Sequence, residues 1–471
     1  MSLPLVQAIG SGAGAATIAG QIEGLIAAGE LRPGERLPAV RTLAAELGVS
    51  PATVAAGYRI LRDRGLITPD GRHGTAVAAQ PPLRVRPART LPPGVRDLAS
   101  GNPDPAVLPP MDAALAQIDT AHKLYGGPAI LPRLAEIARA DFTADGITAG
   151  GATAGGVTAG SITAGSITAG GVAAGGVTDG VAVVSGALDG IERVLMAELR
   201  PGDRVAVEDP GWPRIGDLVT AIGLRPEPVA VDQDGPVPDA LAVALRAGAR
   251  AFIVTPRGQN PTGAVVDAPR AAQIQAVLAA YPQVLVIEDD YIAAIAGAPY
   301  VALHGRSDRW AVIRSVSKVL GPDLRLATLA ADPLTVSRIA GRQLLGPGWV
   351  SHLLQQTVAT MCSSPDTRGL LARAERHYAT RRAVLVAALA ERGIGSYGRS
   401  GLGVWIPVEE EAAIVQALAE RGWAVGAGER FRYRTAPGIR VTTTTLRPEE
   451  AHRLADDIAA AIAGQTTTYA G

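Results

Sequence analysis

Apolar positions recur at helical spacing in three short segments near the start of the chain: "TIAGQIEGLIAAG" (17–29), "AVRTLAAEL" (39–47) and "SPATVAAGYRILRDRG" (50–65). The third opens on Ser50 as N-cap, with Pro51 at the first helical position, and closes on a glycine. "LRPGERLP" is a turn-rich connector, Gly48 ends the second helix, and "LITPDGRHGTAVA" reads as a hairpin of two β-prone runs around a Gly-containing turn. Helix, short helix, tight turn, helix and hairpin are the order of a winged helix-turn-helix, which bounds a first domain at 1–79. The Pro- and Arg-rich residues 80–97, "QPPLRVRPARTLPPGVRD", predict a semi-extended linker. From residue 98 to 471 the period changes. The β-prone runs "VAVVSGA", "DRVAVEDP", "AFIVTP", "VLVIEDD", "WAVIRSVS" and "LATLAAD" alternate with helical patterns. That alternation predicts a multidomain α/β chain whose large domain is a doubly wound, mostly parallel sheet. Residues 402–462 predict a smaller α+β unit.

One segment follows neither period. Residues 143–178 repeat "ITAG", "VTAG" and close variants about every five residues and are almost uncharged. Such a tract buries too little apolar surface to fold alone. It reads as a low-complexity insertion in a surface connection, with a short β-solenoid as the alternative.

Composition adds constraints. Hydrophobic residues make up 47% of the chain but aromatics only 4%, so Ala, Val and Leu must supply the packing. No apolar run is long and pure enough to span a bilayer. No basic stretch precedes the first apolar residues, which argues against a secretory signal. Cys362 is the sole cysteine; it excludes an intramolecular disulfide and fits a reducing cytoplasm. The net charge of zero divides unevenly: residues 1–96 hold 11 Arg and 6 acids, and the remainder balances them. A basic N-terminal part suits a polyanionic partner. Lysine occurs only at Lys123 and Lys318, every other basic position being arginine. A lysine can lose its proton and attack a carbonyl, which arginine cannot.

The surroundings of Lys318 give that difference a use. Ser315 and Ser317 precede it and Arg325 follows; hydroxyls and a guanidinium around a reactive lysine suit a phosphate-bearing aldehyde. In "VVSGALDGIERVL" a strand, a Gly turn and a helix would aim the amides of Gly186 and Ala187 at a phosphate. Trp212 in "VEDPGWP" could stack on a flat ring. Asn260 in "TPRGQNPTG" and Tyr291 in "VIEDDYIAA" could donate to a ring phenolate, and Asp289 could pair with a pyridinium nitrogen.

These motifs, in this order, resemble fold-type I pyridoxal 5′-phosphate enzymes of the aspartate aminotransferase superfamily, over roughly residues 98–465 without the insertion. The resemblance implies that Arg440 in "APGIRVTTTTL" pairs with a substrate α-carboxylate. Arg214 is a second anion candidate. By the same resemblance Tyr125 in "YGGPAILPRL" would reach the cofactor phosphate of a neighbouring subunit, implying a homodimer with shared sites, and "GNPDPAVLPP" would close over the substrate. Leu188, Asp189 and Ile130 depart from the residues common at those positions. "LPAVRTLAAELGVSPATVAAGYRILRDRGLI" resembles the GntR-type winged helix-turn-helix, with the match covering residues 15–78. Ser50, Thr53 and Arg59 would then reach phosphates or base edges, Arg41 would grip the backbone, and Arg72 and His73 would sit at the wing tip. Pro51 and Ala55 are neutral where basic residues are common.

The pairing of the two domains is similar to the MocR regulators. It implies a pyridoxal-phosphate-binding transcription factor that binds double-stranded operator DNA and senses the cofactor, or an amino-acid-like amine effector, through the aldimine at Lys318. A working aminotransferase with an appended DNA-binding domain is the alternative. A scaffold without cofactor is disfavoured by the retention of Lys318.

Overall fold

A computed structural model of the chain describes residues 2–27, 30–32, 34–63, 66–69, 74–78, 91–121, 124–148, 177–178 and 180–468. Arg72, His73, Lys123 and most of both the linker and the repeat lie outside these. The chain divides into two units, Met1–Thr90 and Leu91–Gly471.

In the first unit, helices span Ser2–Ile9, Ala15–Ala27, Val40–Leu47 and Pro51–Asp63. A three-stranded sheet orders Arg36–Leu37, Thr75–Val77 and Ile67–Pro69, all antiparallel. The expected helix-turn-helix turn is built as its residues dictate. Gly48 adopts φ 66° and its N–H closes the preceding helix on the Ala44 and Ala45 carbonyls. The Ser50 hydroxyl then accepts from the Thr53 amide at 3.1 Å. Gly57 lets the last helix press against the second, since a Cβ there would lie 3.1 Å from the Ala15 carbonyl oxygen. Ile18, Ile22, Leu43, Leu47, Val54, Tyr58 and Leu61 form a core of this unit's own. The first helix was absent from the sequence expectation; it adds Leu5 and Ile9 to that core.

The second unit is built on a nine-stranded sheet. In sheet order the strands are Val177–Thr178, Val181–Val184, Ala327–Ala331, Arg309–Ser315, Leu285–Asp289, Ala249–Val254, Arg204–Asp209, Arg225–Asp232 and Gly235–Pro236. Five consecutive central strands run parallel. Ala327–Ala331 is antiparallel to both of its neighbours. Alternation along each strand sends Val205, Val207, Leu285 and Ile287 to one face, beneath helices Ala187–Glu198, Pro213–Ala221 and Pro333–Leu344. Ala206, Phe252 and Val286 go to the other, beneath Pro238–Arg246 and Ala268–Ala279. Both faces are covered, as a parallel sheet requires.

A four-stranded sheet in the order Gly403–Pro407, Gly438–Thr442, Trp423–Ala427, Arg96–Leu98 forms the smaller part of this unit. Its last member corrects the expected linker boundary. Arg96 and Asp97 are strand residues, paired in parallel with Trp423 and Ala424. Leu98 is fully buried among Ile406, Trp423, Val425 and Ile439, and Arg96 donates to the Thr445 carbonyl and the Glu450 carboxylate. Val177–Thr178, the last residues of the repeat, turn back antiparallel on Val181–Ala182.

Candidate functional site

Ligand sites of open parallel sheets form at the carboxyl ends of the strands. Here that edge gathers residues far apart in sequence. Arg204–Asp209 ends just before Trp212, Ala249–Val254 leads to Asn260, Leu285–Asp289 ends on Asp289, and Arg309–Ser315 leads to Lys318. Arg325 enters the antiparallel strand at the same edge, and Gly186 leaves Val181–Val184 there.

Lys318 lies at the centre of a positive cluster. Burial, then the guanidinium groups of Arg440, Arg325 and Arg214, lower its amine to about 8. Its Nζ donates to the Gly101 carbonyl at 2.6 Å. Arg325 has a φ of 43°, alone among the described non-glycine residues in being positive, a conformation that costs about 1–3 kcal/mol. The strained turn delivers its guanidinium to Ser317 Oγ at 3.3 Å and to the start of helix Ala187–Glu198. A Cβ on Gly186 would stand 2.8 Å from Arg325 Nη2 and push that guanidinium aside, and the φ of 97° itself favours glycine. The Gly186 amide, expected to face a phosphate, instead donates to the Val184 carbonyl at 2.9 Å, because the tight turn folds it back on the strand end. Gly186 therefore contributes room rather than a donor. Asp189, one of the departures, accepts from the Ser185 amide at 2.8 Å and is neutralised by Arg193 at 2.9 Å. Ser315 Oγ accepts from the Ser317 amide at 3.2 Å.

Two buried side chains at this edge each leave one polar atom unpaired. Asp289 is 3% exposed, and its Oδ1 makes no hydrogen bond. Burial, then the neighbouring Asp290, pushes its carboxyl up to about 7. Arg440 is 9% exposed and its Nε is unpaired. Its Nη1 donates to Asn260 Oδ1 at 2.8 Å and its Nη2 to the Ala99 carbonyl, while the guanidinium lies over the Phe431 ring at 4.9 Å. Orphaned buried polar groups are rare in folded proteins and call for an absent partner. Asn260 keeps its amide nitrogen for another acceptor. Tyr291, expected to donate to a ring phenolate, donates here to the Gly258 carbonyl at 2.9 Å. Trp212 caps helix Pro213–Ala221 half-buried, and Arg214 in that first turn is exposed.

Sequence reasoning missed two supports of this edge. Glu208 is buried, accepts from the Thr255 amide and from Gln259 Nε2, both at 3.2 Å, and is pushed up to about 8 chiefly by burial. Gln259 in turn accepts from the Thr262 amide and hydroxyl, which fixes the turn carrying Asn260. An acid at the end of a β-prone run was as legible in "VEDP" as in "VIEDD". The second support is an ion network. Asp290 takes Arg257 Nε and Nη2, both at 2.8 Å, and Arg314 Nε at 3.0 Å; Arg314 also reaches Asp141 and Asp145. Asp290 adjoins Asp289 and Arg314 adjoins Ser315, so the network holds two adjacent strand ends in register.

Tyr125 stands apart from this cluster within one chain. It is 92% exposed and meets Trp349 edge-on at 5.6 Å. In the first unit Arg41, Ser50 and Arg59 are exposed and Thr53 is half-buried. The Ser50 and Thr53 hydroxyls lie 2.8 Å apart, engaged with each other at the helix start.

The sheet order and the lysine, arginine and carboxylate edge define an aminotransferase-type domain, here behind a winged helix-turn-helix. Residues 173–458 match the aminotransferase class I and II family, and residues 15–77 match the bacterial regulatory proteins of the gntR family. The chain belongs to the MocR-type regulators, in which these two domains are joined. It is 39% identical over 438 residues to the vitamin B6 salvage pathway transcriptional repressor PtsJ of Salmonella typhimurium, covering 92% of this chain and 95% of that one. It is 27% identical over 377 residues to the pyridoxine biosynthesis regulator PdxR of Corynebacterium glutamicum, covering 78% and 76%. The fold is similar to that of the α-aminoadipate aminotransferase LysN of Thermus thermophilus, with a TM-score of 0.65 and 20% identity over 80% of this chain and 94% of that one.

Proposed function

We propose that the protein is a DNA-binding transcriptional regulator that reads the availability of pyridoxal 5′-phosphate, with Lys318 as the attachment point. The observation that carries this reading is the pairing of a lysine brought down to about 8 by burial and then by three arginines with a buried Asp289 on the adjacent strand whose Oδ1 has no hydrogen-bond partner. When bound, the cofactor supplies an aldehyde carbon open to attack by an amine and a pyridine ring that withdraws electrons. The residues present fit it. Arg325 and Ser317, beside the glycine-bared helix start, would hold the phosphate. Asp289 would keep a proton on the ring nitrogen, and the pyridinium charge would offset the desolvation of its carboxylate. The free amide of Asn260 would face the ring oxygen, and Trp212 would cover the ring. Lys318, partly deprotonated at neutral pH, has the lone pair the attachment needs.

DNA is the partner of the first unit. Arg41 and Arg59 serve as phosphate contacts, and the capped helix Pro51–Asp63 as the reading element. The exposed Leu124, Tyr125 and Leu353, with the half-buried Trp349 against Tyr125, support a homodimer in which Tyr125 serves the neighbouring site. No described helix is long and apolar enough to cross a membrane, and a cytoplasmic location follows from the DNA partner.

A second reading is favoured by Arg440. A buried guanidinium with an unpaired Nε is shaped for a carboxylate, so the effector or substrate would be an amino acid, and half-transamination remains chemically open. The test is made on purified full-length protein. Borohydride reduction after loading should leave a pyridoxyl group on the Lys318 peptide by mass spectrometry. Affinity for DNA from upstream of the protein's own gene should change when the cofactor is added. No label on Lys318, or DNA affinity indifferent to cofactor, would overturn the reading. Keto-acid formation from added amino acids would favour the enzyme.

A further inference from the structure

Two of the cations a ligand would seek are already engaged by main chain. Lys318 Nζ is held by the Gly101 carbonyl and Arg440 Nη2 by the Ala99 carbonyl. Both acceptors lie on residues 99–104, a segment with no helix or strand of its own. Side chains hold its far end. Thr444 Oγ1 donates to the Asn102 carbonyl at 2.9 Å, the Asp104 amide donates to the Tyr378 hydroxyl at 3.0 Å, and Arg381 pairs with the Asp104 carboxylate at 2.7 Å. Its near end follows directly on strand Arg96–Leu98, and the amides of Ala99 and Ser100 both donate to Asp97 Oδ1 at 2.9 Å.

Each carbonyl bond competes with a ligand. A carboxylate offers Arg440 two charged acceptors in bidentate geometry where Ala99 offers one neutral oxygen, and such fork-to-fork ion pairs are the stronger bonds. Lys318 must free its nitrogen to react: the nitrogen adds to an aldehyde carbon, and the aldehyde oxygen leaves as water. A bond to Gly101 favours the protonated, unreactive amine.

We propose that residues 99–104 form an intramolecular strap whose carbonyls hold Lys318 and Arg440 until a ligand takes them, and that release of the strap is the first movement of the signal. The proposal rests on the cofactor reading above. What suits this segment to carry a signal is its place in the chain. Going backwards from Ala99, three strand residues lead into the stretch that joins the sensing unit to the DNA-binding unit.

The test uses the full chain and pyridoxal 5′-phosphate as the probe. Thr444→Val keeps the shape of the side chain but removes one donor to the strap, and touches neither Lys318 nor Arg440. A strap that competes with the ligand, once loosened, should give about fivefold tighter cofactor binding, the effect of one hydrogen bond, while Thr444→Ser should match the parent. Arg381→Gln, which cuts the Asp104 ion pair, should shift affinity in the same direction and covers the case that Thr444→Val does not fold. In the parent, cofactor should speed amide hydrogen exchange across residues 99–104. Weaker or unchanged affinity in the variants would overturn the strap, because a lid that closes over its ligand loses affinity when loosened. Slower or unchanged exchange in the parent would overturn it too. Borohydride labelling of Lys318 runs alongside. Labelling without a strap response overturns the strap alone, and absence of labelling in the parent overturns the cofactor reading and the strap together.

Discussion

The reactivity of Lys318 sets a pH dependence that can be worked through. An exposed lysine titrates at 10.5, whereas Lys318 is brought to about 8, first by burial and then by Arg440, Arg325 and Arg214. The difference amounts to about 3 kcal/mol against the charged amine in the folded chain. At pH 7 roughly one amine in ten is then neutral, against about one in three thousand for an ordinary lysine. The depressed value also fixes the sign of the stability effect. The folded state is favoured above the unfolded value and loses that advantage as pH falls towards 8. The perturbation is pH, with Arg440→Leu as the structural control. Cofactor-free protein is mixed with pyridoxal 5′-phosphate across a pH series, quenched early with borohydride, and the Lys318 peptide is quantified. Initial rates should rise with pH and level off near 8. Bound phosphate would itself pull the amine upward, so the initial rate, and not the loaded protein, reports the free site. Arg440→Leu removes the largest of the charge contributions and should move the midpoint higher. A rate that keeps climbing to the range of a free lysine, or an unmoved midpoint in Arg440→Leu, would refute the reasoning.

Asp289→Asn should weaken cofactor retention by about 10- to 100-fold, as expected for loss of a charged hydrogen bond, measured by dialysis and absorbance. Because the Asp289 carboxyl is raised to about 7, ionising it costs folded stability as pH rises from the ordinary carboxylate range through that value. The cofactor-free variant should therefore melt higher than the cofactor-free parent at mildly alkaline pH; a lower melting point would contradict the burial argument. Arg41→Ala should weaken specific and nonspecific DNA alike and reduce the slope of log affinity against log salt by about one, and an unchanged slope would exclude a phosphate contact. Leu98→Ala should destabilise the second unit by about 2–5 kcal/mol in urea titration, since the side chain is fully buried against Trp423 and Val425.

The large architecture was legible because it rests on periodicity. Alternating β-prone and helical runs foretold the parallel sheet, and Ser50, Pro51 and Gly48 foretold the helix-turn-helix at their observed places. Lys318 was legible because arginine displaces lysine almost everywhere else. Side chains at strand ends, Asp289 and Asn260 among them, could be assigned to the edge that collects them. Main-chain chemistry could not. The carbonyls of Ala99 and Gly101 have no residue-type signature, and the amide of Gly186 was misdirected because a tight turn, not a free helix start, decides where it points. Glu208 was overlooked beside Asp209; Glu208 is pushed up by burial, and Asp209 accepts from the amides of Tyr433, Arg434 and Thr435. The helix Ser2–Ile9 carries no cap signal, and the strand Arg96–Leu98 sits in a Pro- and Arg-rich run whose partner is remote.

That remoteness has a consequence for biosynthesis. Arg96–Leu98 is made directly after the DNA-binding unit, but the strand it pairs with, Trp423–Ala427, is made close to the end. At bacterial synthesis rates the interval is on the order of tens of seconds. During it, Leu98 has no core to enter, and the strap that follows has neither Lys318 nor Arg440 to hold. The DNA-binding unit, with its own core of Ile18, Leu43, Val54 and Tyr58, needs no residue from the far end of the chain. A prematurely terminated chain would thus carry a DNA-reading head with no sensor to govern it. On the function proposed above, such a product would compete for operator sites regardless of cofactor.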